Sequence, residues 1–359
     1  GSFNNEIGLP LTVLKVSPDT KFAVLEMGAD HPGNILSLTA IAPPNVGNVL
    51  TVGTAHMETF GTRDGIALAK SEMIDGVLPG GAAVLNLDDP RVAQMRNKAD
   101  DRALHTVMYG RGEGADVRAE DVELDPLGRA SFTLRVKGRV LDPSENTTDF
   151  HAPVTLQILG EHHIGNALAA ATSAILVGIP PDIVAQRLTN AKLLSPHRMA
   201  VTDRPDGIMV IDDAYNANPE SMRAALQTLA KVAHGSGRRS VAIIGQMREL
   251  GEDETSELHA EIGRLAVRFG IDKLLVVGPG AKAAHDSAVQ EGSWDGESEF
   301  FADLAAVRAR LPQILRGGDI VLVKASNGSK LWELGDELAA GDYEPQTSDS
   351  GIGLGVREP

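Results

Sequence analysis

The sequence predicts an α/β fold, and three observations lead to this prediction. Short continuous apolar runs recur along the chain, which is typical of parallel strands buried on both faces. Segments with helical periodicity separate these runs, so strands and helices alternate. One region, 117–157, instead alternates apolar and polar residues and contains Gly and Pro breaks. That region indicates a small antiparallel insert in a mostly parallel sheet.

The predicted strands are mostly apolar runs of four to seven residues. In chain order they are 22–27, 46–52, 82–87, 105–109, 208–211, 241–244, 274–277 and 320–323. Several predicted helices begin at a proline, which suits the first helical position because its missing N–H is not needed there. In chain order the helices are 65–77, 90–98, 164–177, 181–188, 219–233, 255–269, 281–290 and 302–315.

The 359 residues suffice for two domains. A boundary is expected near Ser195-Pro196, because proline disfavours a helix that runs through the preceding residue. We therefore predict one domain over 1–197 and a Rossmann-like domain over 198–340. The segment 341–359 is polar, Gly-rich and aperiodic, so we expect a disordered tail. The chain opens at Gly1-Ser2, and we expect a truncated N-terminus, produced either by an expression scar or by a cut in the native sequence.

Charge and composition exclude several classes of protein. The net charge of −16 disfavours sequence-independent binding to nucleic acid. The absence of cysteine excludes disulfides and thiolate metal sites. No apolar run approaches the ~20 residues that a membrane span needs, and no signal peptide leads the chain. We therefore expect a cytoplasmic protein with no membrane insertion and no nucleic-acid partner.

The most informative segment is 208–222. An apolar strand ends there in Asp212 and Asp213, a polar loop follows, and Pro219 opens a helix. Ligands of open α/β sheets bind beyond the carboxyl ends of strands, so this loop is a candidate binding site. A capped turn, with Asn218 as the N-cap, explains the same residues without a ligand, and both interpretations can hold together.

Other polar groups follow strands in the first domain. Glu26 and His56 end two predicted neighbouring strands and could meet in one crevice, where a carboxylate suits Mg²⁺ although histidine rarely binds it. Each of these residues alone is equally consistent with a structural role, and Lys70 with a solvated helix face. A further group surrounds Asp89, an expected helix cap. Asn166 lies in the first turn of a helix, whose free N–H groups attract anions.

Glycine-rich loops test whether a nucleotide binds by a common motif. The run after strand 274–277 contains Gly278 and Gly280 and matches G-x-G-x-x-A, a dinucleotide fingerprint. Pro279 removes one backbone N–H that a pyrophosphate would use. The 359 residues contain no G-x-x-x-x-G-K-[S/T] loop, so the chain has no Walker A motif to hold a triphosphate.

Several motifs occur in an order that resembles the ATP-dependent Mur ligases of peptidoglycan synthesis, above all those that use D-alanyl-D-alanine. The resemblance spans nearly all of 3–340. The motifs are Phe3-Asn-Asn-Glu-Ile-Gly-Leu-Pro10, Leu25-Glu-Met-Gly-Ala29, Gly53-Thr-Ala-His56, Ala69-Lys-Ser-Glu72, Asn86-Leu-Asp-Asp-Pro90, Gly165-Asn-Ala-Leu168, Ser195-Pro-His-Arg-Met199, Asp212-Asp-Ala-Tyr-Asn-Ala-Asn-Pro219, Gly245-Gln-Met-Arg-Glu-Leu-Gly251 and Val323-Lys-Ala-Ser326.

The resemblance implies a fold and a metal site. Mur ligases have an N-terminal UDP-binding domain, a central ATPase domain and a C-terminal Rossmann-like domain. This chain would hold the latter part of the central domain and all of the third, without the Walker A part. By resemblance, Glu26, His56 and a carbamylated Lys70 would hold Mg²⁺ and form the catalytic group.

The resemblance also implies which residues contact ATP and the substrates. Asn166, Arg198 and Asp213 would contact ATP, Asp213 through the ribose, and Tyr215 and Asn218 would lie near its phosphates.

The implied substrates are UDP-N-acetylmuramoyl-tripeptide and D-alanyl-D-alanine. Asn4 and Asn5 would touch the muramoyl-peptide, while Asn216, Lys324 and Ser326 would lie near the dipeptide.

The implied reaction is ATP-dependent ligation through an acyl phosphate, by a monomer. Without a Walker A loop, this chain is expected to be inactive alone. Gln246 and the run 325–327 (Ala-Ser-Asn) depart from the acid and the Gly-Ser-Arg usual in the family, in the region expected to bind the dipeptide. Two alternatives remain: a non-catalytic binding fragment, and a nicotinamide-dependent oxidoreductase that uses Gly278 and Gly280.

Overall fold

The computed structural model describes residues 3–53, 57–142, 147–192, 195–248, 250, 252–292 and 297–343. These residues form two compact units, one made of the described residues up to Lys192 and one made of most of those after it. Each unit is built on a mixed sheet with helices, which confirms the predicted α/β fold class. Among the described helices, none has both the length and the apolar character needed to cross a membrane.

The first unit alternates helices and strands and contains a run of consecutive strands. Its elements are α1 (Gly8–Val13), α2 (Asn34–Ile41), β1 (Val46–Val49), α3 (Met57–Phe60), α4 (Arg63–Gly76), β2 (Ala82–Asn86), α5 (Pro90–Gln94), α6 (Arg96–Asp101), β3 (His105–Gly110), β4 (Val117–Leu124), β5 (Arg129–Val136), α7 (Gly138–Leu141), β6 (Phe150–Leu159), α8 (His163–Leu176) and α9 (Pro181–Thr189).

The strands of this unit form a sheet in the order β1-β2-β3-β4-β5-β6. Strands β1 to β4 pair in parallel, whereas β4–β5 and β5–β6 pair antiparallel. The predicted antiparallel insert is therefore confirmed. Alternate residues of β2 point to opposite sides: Val84 packs in a core with α8, and Leu85 packs in a second core with α4. The parallel part of the sheet is thus buried on both faces, as the continuous apolar runs predicted.

The prediction of a strand at 22–27 is wrong. That segment has no regular secondary structure, and Val24 is 94% exposed. β1 is an edge strand, and no described strand pairs with its free edge. A strand needs a neighbour for its backbone N–H and C=O groups, so an apolar composition alone does not produce one.

The second unit has a more regular alternation. Its elements are β7 (Ala200–Asp203), β8 (Met209–Asp213), α10 (Pro219–Ser236), β9 (Ser240–Ile244), α11 (Glu252–Arg268), β10 (Lys273–Val277), a 3₁₀ turn (Pro279–Ala281), α12 (Lys282–Glu291), β11 (Ser298–Phe301), α13 (Leu304–Ile314), β12 (Ile320–Lys324), a second 3₁₀ turn (Asn327–Ser329) and α14 (Trp332–Ala340).

The strands of the second unit form a sheet in the order β11-β10-β9-β12-β8-β7. All described pairs are parallel except β7–β8. The loops after β9, β12 and β8 therefore leave the same edge of the sheet side by side. The two edge strands, β7 and β11, were not predicted, because each is short and partly polar.

The predicted tail, 341–359, is described only in its first residues. Gly341 ends α14 in the left-handed conformation. The backbone carbonyl of Tyr343 accepts a 2.6 Å hydrogen bond from the Arg204 guanidinium. The packed structure thus continues to 343, and 344–359 lie outside the described residues.

Candidate active site

In the first unit, two consecutive aspartates after β2 bind the loops around them. The Asp89 carboxylate accepts hydrogen bonds from the Val52 N–H (2.7 Å), the Thr51 hydroxyl (2.9 Å) and the Arg91 N–H (2.9 Å). These bonds hold the pKa of Asp89 below its usual range, although burial opposes them. Asp89 therefore caps α5, as predicted, and also fixes the chain that leaves β1 as a charged anchor.

Asp88 anchors the loop after β3 in the same way. Its carboxylate accepts the backbone N–H groups of Arg111 (2.8 Å) and Gly112 (3.1 Å). At Gly110, φ is +157° and a Cβ would lie 2.8 Å from an Asp88 oxygen, so the close approach needs glycine. The loops that follow β1, β2 and β3 are thus joined at the carboxyl edge of this sheet, where ligands of parallel sheets bind.

Lys70 lies on α4 in a partly buried position, so its interpretation as a solvated helix residue is wrong. Burial lowers the pKa of the Lys70 ammonium, and the charge of Asp89 only partly opposes this effect. A depressed pKa gives a larger fraction of neutral amine at a given pH than an exposed lysine has. Neutral amine is the form that reacts with an electrophile such as CO₂.

Glu26 is brought together with Asn4 at the start of the described chain. The Asn4 side-chain amide donates to the Glu26 carboxylate at 3.1 Å, and the Gly28 N–H donates to the Asn4 carbonyl at 2.7 Å. Asn5 instead accepts the Gly8 N–H at 2.8 Å, at the start of α1. His56 lies outside the described residues. The metal role of this group therefore stays a prediction.

Asn166 occupies the first turn of α8, as predicted. Its side-chain amide contacts His163 Nδ1 at 3.3 Å. Burial and the neighbouring His162 lower the pKa of His163 to about 3, so this imidazole is neutral at physiological pH. Asn166 is exposed at the helix start, where backbone N–H groups are available to an anion.

In the second unit, Asp213 and Lys324 form the centre of the edge defined by β8 and β12. Lys324 is 2% exposed, and its Nζ donates to the Asp213 carboxylate at 2.6 Å and to the Asn216 carbonyl at 2.8 Å. Burial lowers the pKa of Lys324 despite the Asp213 charge beside it. The ammonium holds the loop after β8 by these two contacts, while the Asn216 side chain remains at the surface.

Replacement of Lys324 by Met is expected to lower the free energy of unfolding by about 3 kcal/mol, since it leaves the Asp213 charge without its buried partner. Denaturant unfolding, followed by Trp332 fluorescence, measures this change. The matched control is Lys282→Met, which breaks an exposed ion pair with Asp286 and should cost less than about 1 kcal/mol. Equal effects of the two changes would contradict a special role for the buried pair.

Ser326 and Asn218 are also occupied by contacts with the protein. The buried Ser326 hydroxyl accepts the Arg248 N–H at 2.9 Å and donates to the Ala217 carbonyl at 3.3 Å, which joins the loops after β9, β12 and β8. Asn218 caps α10 by accepting the Ser221 N–H at 2.8 Å. The capped-turn interpretation of this segment is confirmed, together with a loop held at the sheet edge.

Arg198 and Tyr215 meet on the surface above this edge. The Arg198 guanidinium lies 4.2 Å from the centre of the Tyr215 ring, and both belong to the second unit. Beside them, His197 Nδ1 and the Asp212 carboxylate are 2.6 Å apart, a pair to which the sequence assigned no role. The run Ser195-Pro-His-Arg-Met199 was recognised as a motif, but only the fold shows that its histidine faces Asp212.

The glycine-rich loop after β10 is filled by the protein itself. A Cβ at Gly280 would lie 2.4 Å from the Gln246 side-chain carboxamide, so that side chain packs directly on the glycine. Pro279 begins the 3₁₀ turn here. This packing disfavours a dinucleotide at the G-x-G-x-x-A run and weakens the oxidoreductase alternative.

A metal-binding cluster of the usual kind occurs in the described part of the chain only at His197, Asp212 and Asp336, whose ligand atoms lie within 4.8 Å of one another. Asp336 is exposed, and its carboxylate is 3.9 Å from His197 Nδ1. Since Asp212 already binds the histidine directly, the cluster is explained as a hydrogen-bonded pair with a surface carboxylate nearby.

Comparison with known families matches both units. Residues 1–174 match the Mur ligase middle domain, and residues 197–327 match the "Mur ligase, glutamate ligase domain". Both matches follow the order of the two units along the chain.

Similar proteins carry one activity in their names. A UDP-N-acetylmuramoyl-tripeptide–D-alanyl-D-alanine ligase of Mycobacterium tuberculosis H37Rv is 48% identical over 358 residues, covering 95% of this chain and 67% of the relative. The ligase of that name from Bacillus subtilis is 34% identical over 338 residues, covering 94% of this chain and 68% of the relative.

Solved structures agree with the sequence comparison. A crystal structure of MurF from Acinetobacter baumannii is similar with a TM-score of 0.81 at 30% identity, covering 95% of this chain and 69% of that one. MurF from Thermotoga maritima in complex with ADP has a TM-score of 0.76 at 27% identity, covering 95% of this chain and 73% of that one.

Proposed function

Because the chain belongs to the Mur ligase family, we propose that it is part of an ATP-dependent ligase that joins D-alanyl-D-alanine to UDP-N-acetylmuramoyl-tripeptide in peptidoglycan synthesis. The observation that carries this proposal is 48% identity, along 95% of the chain, to a ligase named for that reaction. We assign residues 1–197 to a partial central ATPase-type domain and residues 198–340 to the C-terminal ligase domain.

The reaction has two balanced steps. ATP first transfers its γ-phosphoryl group to the terminal carboxylate of the tripeptide, which gives an acyl phosphate and ADP. The amine of D-alanyl-D-alanine then attacks the carbonyl carbon, and the tetrahedral intermediate expels phosphate as the C–N bond forms and the nitrogen loses a proton. The protein has to align the reactants and neutralise phosphate charge.

Three groups of this chain suit the nucleotide. We assign Asn166, at the start of α8, and Arg198, on the surface of the second unit, to contacts with ATP. Asp213 would contact the ribose, with Tyr215 and Asn218 nearer the phosphates. An ADP-bound structure of a similar protein supports nucleotide binding by this fold.

Lys70 is assigned a carbamate, because its environment favours the reactive form of the amine. Neutral Nζ adds to CO₂ and releases one proton, so a cationic side chain becomes an anion with two oxygen donors. Burial of Lys70, which lowers its pKa, supports this assignment.

Mg²⁺ fits the donor chemistry of this assignment. The Glu26 and carbamate oxygens are hard donors of the kind that Mg²⁺ prefers, and His56 would complete the group. When bound, Mg²⁺ neutralises charge on the transferring phosphoryl group. Without the carbamate, the ammonium of Lys70 would repel the ion, so metal binding and carbamylation are expected to depend on each other.

The substrates are assigned to both units. Asn4 and Asn5 would face the muramoyl-peptide. The dipeptide would lie near Asn216 and the loop after β12, which Lys324 and Ser326 shape through their buried contacts. We further propose that the protein works as a cytoplasmic monomer, where ATP and UDP-linked precursors are made.

An activity assay on the full-length protein tests the proposed function. With ATP, UDP-N-acetylmuramoyl-tripeptide and D-alanyl-D-alanine, we expect one phosphate per product and a product mass equal to both substrates less one water. D-Alanine in place of the dipeptide serves as the matched control and should give little product. Nicotinamide reduction, or phosphate release without ligated product, would contradict the proposal.

A further inference from the structure

We propose that His197 is a positioning residue, which holds Arg198 and Tyr215 in the geometry that receives the nucleotide by pairing with Asp212. This inference rests on the proposed function, because it takes Arg198 to be a contact to ATP. It extends that function to a pair of residues, His197 and Asp212, that do not themselves touch the ligand.

The backbone around Arg198 is unusual. His197 and Met199, the residues on either side of it, have φ values of +57° and +56°. Residues other than glycine rarely adopt this left-handed conformation, which carries an energetic cost. Such a conformation persists where surrounding contacts determine it, and it occurs often at functional sites.

Consecutive aspartates at the end of β8 supply those contacts. The His197 ring binds the Asp212 carboxylate at 2.6 Å, and the Met199 N–H donates to the Asp213 carboxylate at 3.1 Å. The residue before Arg198 and the residue after it are therefore each fixed to the sheet, by neighbouring carboxylates of one strand. Arg198 itself remains exposed between these two attachments.

The attachment on the His197 side is rigid. Asp212 is 6% exposed and also accepts the Ala214 N–H at 3.2 Å. A Cβ at Gly335 would lie 2.6 Å from the Asp212 carboxyl carbon, so α14 closes directly over the carboxylate. The Trp332 ring of the same helix lies 5.7 Å from the His197 ring, centre to centre. The imidazole thus has a packed partner as well as a hydrogen-bonded one.

The same loop carries the aromatic platform for Arg198. The Tyr215 N–H donates to the His197 carbonyl at 3.0 Å, while the Tyr215 ring lies 4.2 Å from the Arg198 guanidinium. A cation over an aromatic face is attracted to it, so the two side chains hold each other. If the His197 ring is lost, the backbone that connects the cation to its platform loses one of its two attachments.

The test uses the full-length protein and a double-mutant cycle. His197→Gly permits the left-handed backbone but removes the ring, and should raise the KM for ATP about tenfold, with less effect on kcat. Arg198→Ala should raise the same KM, and the double variant should raise it no further. His197→Asn should recover most of the affinity, because asparagine tolerates this backbone and can donate to Asp212. Additive effects of His197→Gly and Arg198→Ala would overturn the proposal.

A second readout does not depend on activity. The Arg198 Nε–H resonance, assigned by comparison with Arg198→Lys, should show a ring-current shift from Tyr215 that His197→Gly abolishes. A shift that persists in His197→Gly would overturn the proposal. Asp212→Asn provides a second way to weaken the pair and should reduce the shift, if His197→Gly does not fold.

The two measurements separate this proposal from the proposed function. If Arg198→Ala leaves the KM for ATP unchanged, Arg198 is not a nucleotide contact, and the nucleotide role of His197 falls with it. If the ligase assay fails while the ring-current shift still depends on His197, the assigned reaction is wrong and the positioning of Arg198 stands.

Discussion

Replacement of Lys70 by Ala is expected to lower ligation by the full-length protein on the order of 10²–10³-fold, the size of effect seen when a fixed electrostatic group is removed from a transferring site. The reason is the loss of an anionic carbamate, which the ammonium of an ordinary lysine cannot replace. Initial rates with all three substrates measure this loss. A small carboxylate such as formate, added in solution, should restore part of the rate, because it supplies the missing anion.

Lys70→Arg separates a carbamate from a cation. Arginine keeps the positive charge and does not form a carbamate under these conditions, so activity should fall as far as in Lys70→Ala. The matched control is Lys98→Ala, which removes a partly exposed lysine paired with Asp75 in the same unit and should leave the rate near normal. Addition of ¹³C-labelled bicarbonate should give a carbamate resonance that Lys70→Ala abolishes. Normal turnover in Lys70→Arg, or the absence of that resonance, would contradict the assignment.

Residues 1–359 by themselves are expected to show no ATP-dependent ligation. They contain no G-x-x-x-x-G-K-[S/T] loop, whose backbone N–H groups and lysine cradle the phosphates in P-loop enzymes. Loss of a phosphate-stabilising group costs on the order of 10³-fold or more in related phosphoryl transfers, so the rate should fall below detection. Phosphate release and product mass, measured on folded chain, give the result.

A matched pair of proteins controls this second experiment. The full-length protein, which includes the residues before this segment, should be active under the same conditions. The Lys70→Ala form of the 359-residue chain detects any contaminating ATPase, which would be unaffected by the substitution. ATP-dependent product that the 359-residue chain makes, and that Lys70→Ala removes, would show that the loop is dispensable.

Local patterns were sufficient to predict most of the fold. Apolar runs gave the parallel strands, and the alternating region gave β4, β5 and β6, since side-chain periodicity directly reflects burial on one or two faces. The cap formed by Asn218 and Pro219 was also predictable, because it depends on residues three positions apart. The family could be recognised for a related reason: its motifs are short and lie in a fixed order.

Patterns failed where pairing between distant segments decides the outcome. The segment 22–27 is as apolar as a strand but has no described neighbour, and Val24 is almost fully exposed. β7 and β11 have weak patterns, yet each pairs at a sheet edge. A strand exists through hydrogen bonds to its partner, so composition alone cannot separate these cases.

The sequence by itself determined the α/β class, the antiparallel insert, the family and the residue types at the ends of the strands. Only the tertiary structure decided what those residues do. It buried Lys70 and so lowered its pKa, it joined Lys324 to Asp213 across 111 positions, and it turned His197 onto Asp212. These properties depend on desolvation and on contacts between distant segments, and both arise only when the elements pack together.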